Sequence, residues 1–340
     1  MSHTAEDLRA LQAKTLEEKI QISTARIIEW YESWGGQVYV SFSGGKDSTV
    51  LLDLVRRVYP DVKGAYSDTG LEYPEIREFV KSFDNIDWLK PKKNFVQIIT
   101  EYGYPIVSKE VSENIYYAQH GSDWAIKRME GLNSDGSEST FKQRYKKYNY
   151  LVDSNIPVSH KCCSIMKKQP AKQYEKETGL KPIIGTMTHE SHLRKERWLK
   201  YGCNAFNSKH PKSAPLSFWN EQDILEYINK YKLPVASVYG DLVRQEDGTL
   251  KFTGCQRTGC VFCGYGCHLD DTPNRFQRLA ITHPQLYDYC MRGGKYDESG
   301  KWAPDKGLGM SKVLDFINVK WWNDGDVDKR DEYRAKYKEK

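Results

Sequence analysis

Along the first hundred positions, apolar residues recur with two periods, which predict strands followed by helices. Short apolar runs rich in β-branched and aromatic residues predict strands over 37–42, 62–68 and 86–91. Apolar residues three and four positions apart predict helices over 5–33, 48–59, 73–83 and 95–103. Strands that alternate with helices form parallel crossovers, so the pattern predicts an α/β fold with a doubly wound, mainly parallel sheet.

The alternation stops at 121–150, where a polar stretch is followed by a basic and aromatic one. We interpret this segment as an insertion. Beyond it the same two periods return, and they predict helices around 164–178, 190–202 and 221–231 and a strand over 181–186.

From residue 240 onwards the chain is rich in glycine, cysteine and aromatic residues, which favours an irregular segment held together by a ligand. These changes in pattern predict three parts. They are N-terminal helices over 1–34, a central domain over 35–239 that contains the insertion, and a Cys-rich C-terminal region over 240–340.

Composition narrows the class of protein. The 340 residues include 51 Lys and Arg against 46 Asp and Glu, a net charge of +5, which permits an anionic substrate. No run approaches the roughly 20 apolar residues of a membrane span. The first residues, MSHTAEDLRALQAKTLEEK, lack the apolar core of a signal peptide, so we expect a soluble cytoplasmic protein with no membrane partner.

The segment Ser43-Gly44-Gly45-Lys46-Asp47-Ser48 lies between a predicted strand and a predicted helix. Glycines let a backbone approach a ligand closely, and the amides at a helix start attract negative charge. Lys46 adds a positive charge, and the serines and Thr49 add hydroxyl donors. The segment therefore predicts a phosphate site. Its spacing is not that of the Walker motif, and the bland alternative is a turn that only links strand to helix.

The same segment resembles the SGG-x-DS loop of the N-type ATP pyrophosphatases, the adenine nucleotide alpha-hydrolase group. SDTGLEYPE (67–75) resembles the DTG-x-x-(F/Y)-PE segment of the PAPS reductase branch of that group. The resemblance implies a Rossmann-like fold that binds ATP through its pyrophosphate, usually with Mg²⁺. It also implies that Lys46 and Asp47 act in catalysis.

Two further segments carry the resemblance along the chain. GTMTHESHLR (185–194) resembles the family's G-x-R-x-x-(E/Q)-S-x-x-R, except that Met187 replaces the first arginine and puts one phosphate or sulfate contact in doubt. Residues 214–235 resemble PL-x-x-W-x-x-x-D-(V/I)-x-x-Y-I-x-x-x-x-LP, so the likeness covers roughly 35–265. The implied nucleotide-binding residues are Ser41, Ser43, Gly44, Gly45, Lys46, Asp47, Ser48, Asp68, Thr69, Gly70, Gly185, Glu190 and Arg194.

Eight cysteines in a cytoplasmic chain favour metal or redox chemistry over disulfides. The adjacent Cys162 and Cys163, in KCCSIMKKQP, resemble the tandem pair of assimilatory APS reductases, which binds one [4Fe–4S] cluster together with a later C-x-x-C. Cys260 and Cys263 form such a C-x-x-C. The resemblance therefore implies a cluster on these four cysteines.

Other readings of the cysteines stay open. Structural zinc or two unrelated pairs of buried thiols would also fit the four residues. A compact zinc site could instead use Cys255, Cys260, Cys263 and Cys267, which would leave the tandem pair without metal. Otherwise Cys255 or Cys267 is a candidate nucleophile or persulfide carrier, and His268 could lower the pKa of Cys267.

Three functions follow. An intact ATP loop with a cluster-type cysteine set resembles ATP-dependent sulfurtransferases such as the DNA phosphorothioation enzyme. In these, ATP adenylates an acceptor oxygen, and sulfur from a persulfide or cluster-bound sulfide then displaces AMP. The first alternative is an APS or PAPS reductase, although the reductases' E-C-G-(I/L)-H element does not occur here. The second is a non-catalytic nucleotide-binding module.

The partners differ between these functions. A sulfurtransferase implies a sulfur donor such as a cysteine desulfurase, and a reductase implies thioredoxin. The stretch 141–150 interleaves four basic residues with three tyrosines, which favours a nucleic acid as acceptor, although a solvated basic loop is the commoner explanation.

Overall fold

A computed structural model describes residues 3–338 of the chain. It divides into two compact units, and each unit is built from segments that are not contiguous in sequence. Unit 1 comprises Met1–Asp68, Glu72–Pro91 and Gln169–Gly259, and unit 2 comprises Thr69–Leu71, Lys92–Lys168 and Cys260–Lys340. These boundaries lie elsewhere than the three-part division expected from composition, because unit 2 draws on the middle of the chain as well as on its end.

The α-helices of the described residues are numbered in chain order: α1 Ala5–Gln12, α2 Leu16–Ser33, α3 Lys46–Val58, α4 Pro74–Lys81, α5 Phe95–Tyr102, α6 Lys109–Gln119, α7 Asp123–Glu130, α8 Lys142–Lys146, α9 Gln169–Thr178, α10 His192–Tyr201, α11 Glu221–Tyr231, α12 Arg275–Thr282, α13 Pro284–Met291, α14 Met310–Phe316 and α15 Val327–Lys338. The strands are β1 Val38–Ser41, β2 Lys63–Ser67, β3 Ile86–Leu89, β4 Ile106–Val107, β5 Lys181–Ile184, β6 Leu242–Arg244, β7 Leu250–Phe252, β8 Gly264–Tyr265, β9 Lys295–Tyr296 and β10 Trp302–Ala303. A π-helix spans Ser164–Lys168.

Unit 1 is built on a four-stranded parallel sheet with the strand order β3-β2-β1-β5. The residues of β1 alternate between the two faces of the sheet. Val38 and Val40 belong to the core formed with α2, α3 and α11, whereas Tyr39 packs on the opposite face against Tyr174 of α9. The sheet therefore carries helices on both faces, and the predicted α/β fold with a mainly parallel, doubly wound sheet is confirmed.

The strand order creates a switch point at β1. The chain passes from β1 to β2 and β3 on one side, and it later adds β5 on the other side. In open α/β sheets, ligands bind at the carboxyl ends of the strands at such a point. The segments that leave β1 and β5 there are 42–45 and 185–191, and both contain predicted nucleotide-binding residues.

Unit 2 contains the strands β4 and β8, which pair in parallel, and the antiparallel pair of β9 and β10. Helices α12 to α15 lie in the C-terminal region. The expectation that this whole region is irregular is wrong for residues after 274. Local signals explain its helices: Asn274 and Gln277 form a capping box at the start of α12, and Pro284 occupies the first turn of α13.

The helices between residues 3 and 338 fall short of the length and apolar content that a membrane crossing requires.

Candidate functional site

The glycine loop, Ser43–Ser48, follows β1 and opens α3. Gly45 is the N-cap of α3 and has no side chain to cap the helix, while Tyr239 OH accepts from the amide of Lys46. Gly44 has a φ of +71°, and a Cβ there would lie 2.6 Å from Val80 Cγ2. The loop is thus held in a conformation that favours glycine, at a helix start of the kind that attracts anions.

Hydroxyl groups brace the glycine loop from inside. Ser48 Oγ donates to Gly45 O at 2.9 Å and accepts from Ser43 N at 3.1 Å, and Thr49 Oγ1 also donates to Gly45 O. A Cβ on Gly185, just after β5, would lie 3.3 Å from Asp47 O. The end of β5 therefore packs against the loop, in agreement with the switch point.

Lys46 is 5% exposed, and groups distant in sequence surround it. Its backbone amide donates to Tyr239 OH at 2.9 Å, and its ammonium donates to Gln256 O at 3.0 Å. Glu221 Oε1 lies 3.4 Å from the ammonium. Burial raises the pKa of Tyr239 to about 12, so this phenol stays neutral and serves the loop through hydrogen bonds.

Asp47 stands beside Lys46 at the first turn of α3. Burial raises the pKa of its carboxyl, and the nearby Lys46 opposes that rise. Its Oδ1 atom is buried and accepts no hydrogen bond from the described residues. A buried carboxylate oxygen without a donor is a suitable partner for a cation, directly or through water, which fits the predicted Mg²⁺.

A second charged group forms around Glu190, which lies in a 3₁₀ turn after β5. Its Oε2 accepts from Met187 N at 2.9 Å and from the guanidinium of Arg194, and its Oε1 accepts from Arg257 at 3.1 Å. Two arginines thus share one carboxylate. Asp68, at the end of β2, is paired with Arg77 at 3.1 Å.

In unit 2, the segment Thr69–Leu71 is joined to the C-x-x-C turn. Leu71 O accepts from Val261 N, between the two cysteines, at 2.8 Å. Thr69 is buried and its hydroxyl accepts from Leu71 N at 3.2 Å, while Gly70 has a φ of +71° and is exposed. The predicted nucleotide segment and the cysteine turn are therefore linked by a direct backbone hydrogen bond.

The four-cysteine group, Cys162, Cys163, Cys260 and Cys263, lies within unit 2. Burial raises the pKa of the Cys162 thiol, and the thiols of Cys163, Cys260 and Cys263 raise it further. Burial also raises the pKa of Cys263 to about 11. The thiols that act on Cys162 and on Cys263 thus come from both pairs, although nearly a hundred residues separate the pairs in sequence.

Local hydrogen bonds explain how the two pairs meet. The strand β8 follows Cys263 directly and pairs with β4. Tyr265 in β8 donates through its hydroxyl to Ser159 O at 3.1 Å, which fixes the chain just before the tandem pair. Arg275 donates to Cys263 O at 3.2 Å and to Tyr265 O at 2.8 Å. The π-helix begins immediately after Cys163, and such turns are frequent at functional sites.

Thiolates are the side chains of this group that could bind a metal. Between residues 3 and 338, no three His, Cys, Asp or Glu side chains are arranged to hold a metal ion as the side chains stand. The thiols of both pairs influence Cys162 and Cys263, and thiolates are the ligands that an iron–sulfur cluster takes. Four thiols in one unit therefore fit a [4Fe–4S] cluster by their chemistry.

The two candidate nucleophiles differ in their surroundings. Cys255 is in unit 1 and partly exposed, next to Gln256, which binds Lys46. Cys267 is in unit 2 and 1% exposed; its thiol donates to Gly264 O at 3.1 Å, and burial raises its pKa to about 12. The neighbouring His268 contacts Tyr148, and burial lowers the pKa of its ring, which keeps that ring neutral. Cys255 is the more accessible thiol.

The sequence matches the family described as the phosphoadenosine phosphosulfate reductase domain over residues 37–105 and 123–265. The matched residues form more than half of the chain and include the glycine loop and both cysteine pairs. The chain belongs to the phosphoadenosine phosphosulfate reductase family.

Individual relatives of this phosphoadenosine phosphosulfate reductase family member are distant. The adenosine 5′-phosphosulfate reductase of Staphylococcus haemolyticus is 25% identical over 219 residues, which cover 63% of this chain and 70% of that protein. An uncharacterized protein of Methanocaldococcus jannaschii is 24% identical over 315 residues, which cover 88% of this chain and 61% of that protein. The chain thus spans less than two thirds of the length of the archaeal relative.

Among solved structures, the phosphate complex of phosphoadenylyl-sulfate reductase from Candida auris is similar at 17% identity and a TM-score of 0.36, covering 73% of this chain and 98% of that chain.

The family match is interrupted at 106–122 and resumes at residue 123, so it includes most of the segment 121–150 that was predicted to be an insertion.

Some residues of the basic and aromatic stretch 141–150 have a structural role. Tyr145 is buried, and its hydroxyl donates to Glu110 and accepts from Arg128 at 2.8 Å. Arg144 donates to Glu110 at 2.7 Å. Two members of the stretch therefore anchor it to α6, while Lys146 and Lys147 are exposed. A nucleic-acid partner stays a prediction.

Sequence reasoning missed several residues around the glycine loop of this family member. Tyr239, Gln256 and Thr258 contact the loop or one another, and Glu221 lies beside Lys46. The Gln256 contact uses a backbone carbonyl, which every residue type possesses, so no sequence signal marks it. Of the predicted residues, Ser41 is the exposed last residue of β1, and Asp68 is bound to Arg77.

Proposed function

We propose that this chain binds an adenine nucleotide through its phosphates on the glycine loop and uses it in sulfur chemistry. The observation that carries the proposal is the loop itself. A helix start with glycine at its N-cap, the buried ammonium of Lys46 and a carboxylate oxygen of Asp47 without a donor converge at the switch point of a parallel sheet. In the main proposal the nucleotide is ATP with Mg²⁺.

The proposed reaction has two steps. An acceptor oxygen attacks the α-phosphorus of ATP, the bond to the bridging oxygen breaks, and pyrophosphate leaves. A sulfur nucleophile at the oxidation level of hydrosulfide then attacks the carbon that bears the adenylated oxygen. The carbon–sulfur bond forms, the carbon–oxygen bond breaks, and AMP leaves. No electrons are gained or lost, so hydrosulfide suffices as the second substrate.

The residues of the chain have distinct roles in this proposal. Lys46 and the start of α3 hold the phosphates, and Asp47 holds Mg²⁺. The four-cysteine group would hold a [4Fe–4S] cluster, which supplies iron sites for sulfide or electrons for reduction when bound. Cys255 is the proposed sulfur carrier when the donor is a persulfide of the cysteine desulfurase class: its thiolate takes the outer sulfur and releases the donor thiolate. The terminal sulfur of the Cys255 persulfide then attacks in place of hydrosulfide, and AMP leaves. A dithiol of the thioredoxin class reduces the resulting disulfide, which releases the thiolated acceptor and the Cys255 thiol and leaves the dithiol oxidised. A nucleic acid is the candidate acceptor, with Lys146 and Lys147 as exposed phosphate contacts.

A second candidate function is reduction of APS or PAPS, which the name of the staphylococcal relative favours. In that reaction a dithiol of the thioredoxin class supplies two electrons and is oxidised to a disulfide. The bond between sulfur and the phosphate oxygen breaks, and sulfite leaves with AMP or its 3′-phosphorylated form as the other product. The glycine loop would then hold the nucleotide phosphate only.

Anaerobically purified protein should distinguish these functions when it is incubated in parallel with ATP, APS and PAPS. The main proposal predicts AMP and pyrophosphate from ATP, stimulated by hydrosulfide together with tRNA or DNA as acceptor. Sulfite release from APS or PAPS with reduced thioredoxin would select the reductase instead. Tight binding without turnover of any of the three nucleotides would identify a non-catalytic module. A Lys46→Ala preparation, purified identically, controls for contaminating enzymes.

The accessible Cys255 should react as the nucleophile, whereas Cys267 should not. We expect iodoacetamide to alkylate Cys255 in the native protein about 100-fold faster than Cys267, because burial holds Cys267 in its protonated form. Mass spectrometry of timed samples measures both rates. With a persulfide donor and a reduced dithiol, Cys255→Ser should abolish sulfur transfer and leave pyrophosphate formation intact, and Cys203→Ser is the matched control in the same unit. Loss of transfer in Cys267→Ser alone would assign the role to Cys267.

A further inference from the structure

One position of the glycine-loop neighbourhood lacks a charge that the family pattern places there. The segment 185–194 carries Met187 where the resembling segment has an arginine. Met187 is 3% exposed and belongs to the apolar core of unit 1. Its backbone amide donates to Glu190, but its side chain offers nothing to an anion.

A different segment of unit 1 lies directly against the glycine loop. We call Cys255–Thr258 the rim segment. Gln256 O accepts from the ammonium of Lys46 at 3.0 Å, and Thr258 Oγ1 lies 2.8 Å from Tyr239 OH, which itself accepts from Lys46 N. Thr258 Oγ1 would also be 3.2 Å from a Cβ on Gly45. The residues on both sides of Arg257 are therefore fixed to the loop.

Arg257 projects from the rim segment with its side chain 76% exposed. Its Nη2 donates to Glu190 Oε1 at 3.1 Å. Burial raises the pKa of Asp47, and the positive charge of Arg257 is one of the charges that oppose this rise. The rim segment thus places the Arg257 guanidinium beside the Glu190 carboxylate, three residues after Met187 in the 185–194 motif.

We propose that Arg257 is a binding residue for the phosphate or sulfate group of the nucleotide, in place of the arginine that Met187 replaces. This inference rests on the proposed function, because it takes the glycine loop as the nucleotide site. The inference goes further than the proposed function, because it assigns anion binding near Glu190 to a residue outside the 185–194 motif.

The pairing with Glu190 permits this role. Glu190 also accepts from Arg194 and from Met187 N, so its negative charge is compensated when Arg257 turns to a ligand. An ion pair with so exposed a partner contributes little to stability, and its exchange for a phosphate costs little. A guanidinium has five donors in a planar fork that matches two phosphate oxygens. In the protein without nucleotide, Glu190 therefore binds Arg257 and orients its guanidinium.

The test is equilibrium binding of Mg·ATP, of its α,β-methylene analogue and of adenosine to five proteins. These are the parental chain, Arg257→Ala, Arg257→Lys, Arg244→Ala and Lys46→Ala. Arg244 is a matched control, since it lies in the same unit and pairs with Glu226 at 3.0 Å. We expect Arg257→Ala to weaken binding of both triphosphates about tenfold or more and adenosine within about twofold. Arg257→Lys should recover part of the loss, and Arg244→Ala should bind as the parent does.

Two results would overturn the inference while the proposed function stands. One is triphosphate binding by Arg257→Ala at parental strength when Lys46→Ala has lost it. The other is an equal loss for triphosphate and adenosine, which would mean a structural role. If the parental chain binds none of ATP, APS and PAPS, the proposed function fails, and this inference fails with it. The melting temperature of each variant shows whether the fold is kept.

Discussion

Replacing Lys46 by alanine is expected to lower pyrophosphate release from ATP by about 100-fold or more. The buried ammonium is the positive charge nearest to the start of α3, and it lies among Asp47, Glu221 and the carbonyl of Gln256. Without it, two carboxylates would face the phosphates without that compensation, so binding and the approach to the transition state should both suffer. The measurement is a coupled pyrophosphate assay at saturating ATP, with binding measured in parallel.

Two further variants separate charge from packing in this prediction. Lys46→Met keeps the apolar stem in its buried position and should lose activity as Lys46→Ala does. Lys63→Ala, on an exposed lysine of β2 that pairs with Asp87 at 3.3 Å, should release pyrophosphate at the parental rate. Asp47→Ala should also lower turnover, because Mg²⁺ would lose its carboxylate. Full pyrophosphate release by folded Lys46→Ala protein would contradict the assignment of the phosphate site.

The fold of unit 1 could be predicted because local signals and tertiary packing agree there. The helix over Glu221–Tyr231 has the predicted bounds, since Asn220 and Asp223 form a capping box and the apolar residues recur at helical spacing. The strands of the central sheet lie within the predicted ranges, and the clearest signal is at β1, whose Val38, Tyr39 and Val40 are all buried. A parallel sheet buried on both faces requires such runs.

The surroundings of the glycine loop could be predicted only in part. The loop's own residues are adjacent in sequence, so their chemistry is visible as a motif. Tyr239 and Gln256 reach Lys46 across about two hundred residues, through a hydroxyl and a backbone carbonyl. Neither group has a spacing that marks it, because the contacts depend on how the chain returns to the sheet. Tertiary structure is needed to find them.

The C-terminal region shows the opposite error. The prediction of an irregular region was based on its glycine and cysteine content. That prediction overlooked helix signals in the sequence, such as Asn274 before α12. Glycine marks turns, and in this region turns separate short helices. The glycine content therefore correctly predicts turns in this region, but it does not predict the helices that the turns connect.

Anaerobically purified protein is expected to be brown and to contain about four irons per chain, the content of one [4Fe–4S] cluster. Burial and mutual repulsion oppose ionisation of the thiols of Cys162 and Cys263, so the four thiolates need positive metal to coexist. Iron binding should release protons, and it should weaken as the pH falls because the thiols compete as acids. Iron, sulfide and zinc assays at several pH values measure this directly.

Single substitutions in the four-cysteine group should then remove most of the iron. Cys163→Ser or Cys260→Ser should bleach the protein and lower the melting temperature of unit 2, because the turn at Cys260 is tied to Leu71 and to β4 through β8. Cys203→Ser, on a buried thiol of unit 1 that contacts Ser217, should do neither. A colourless protein with one zinc that depends on Cys255 and Cys267, and not on Cys163, would overturn the assignment. It would also leave the glycine loop as the main support for the proposed sulfur chemistry.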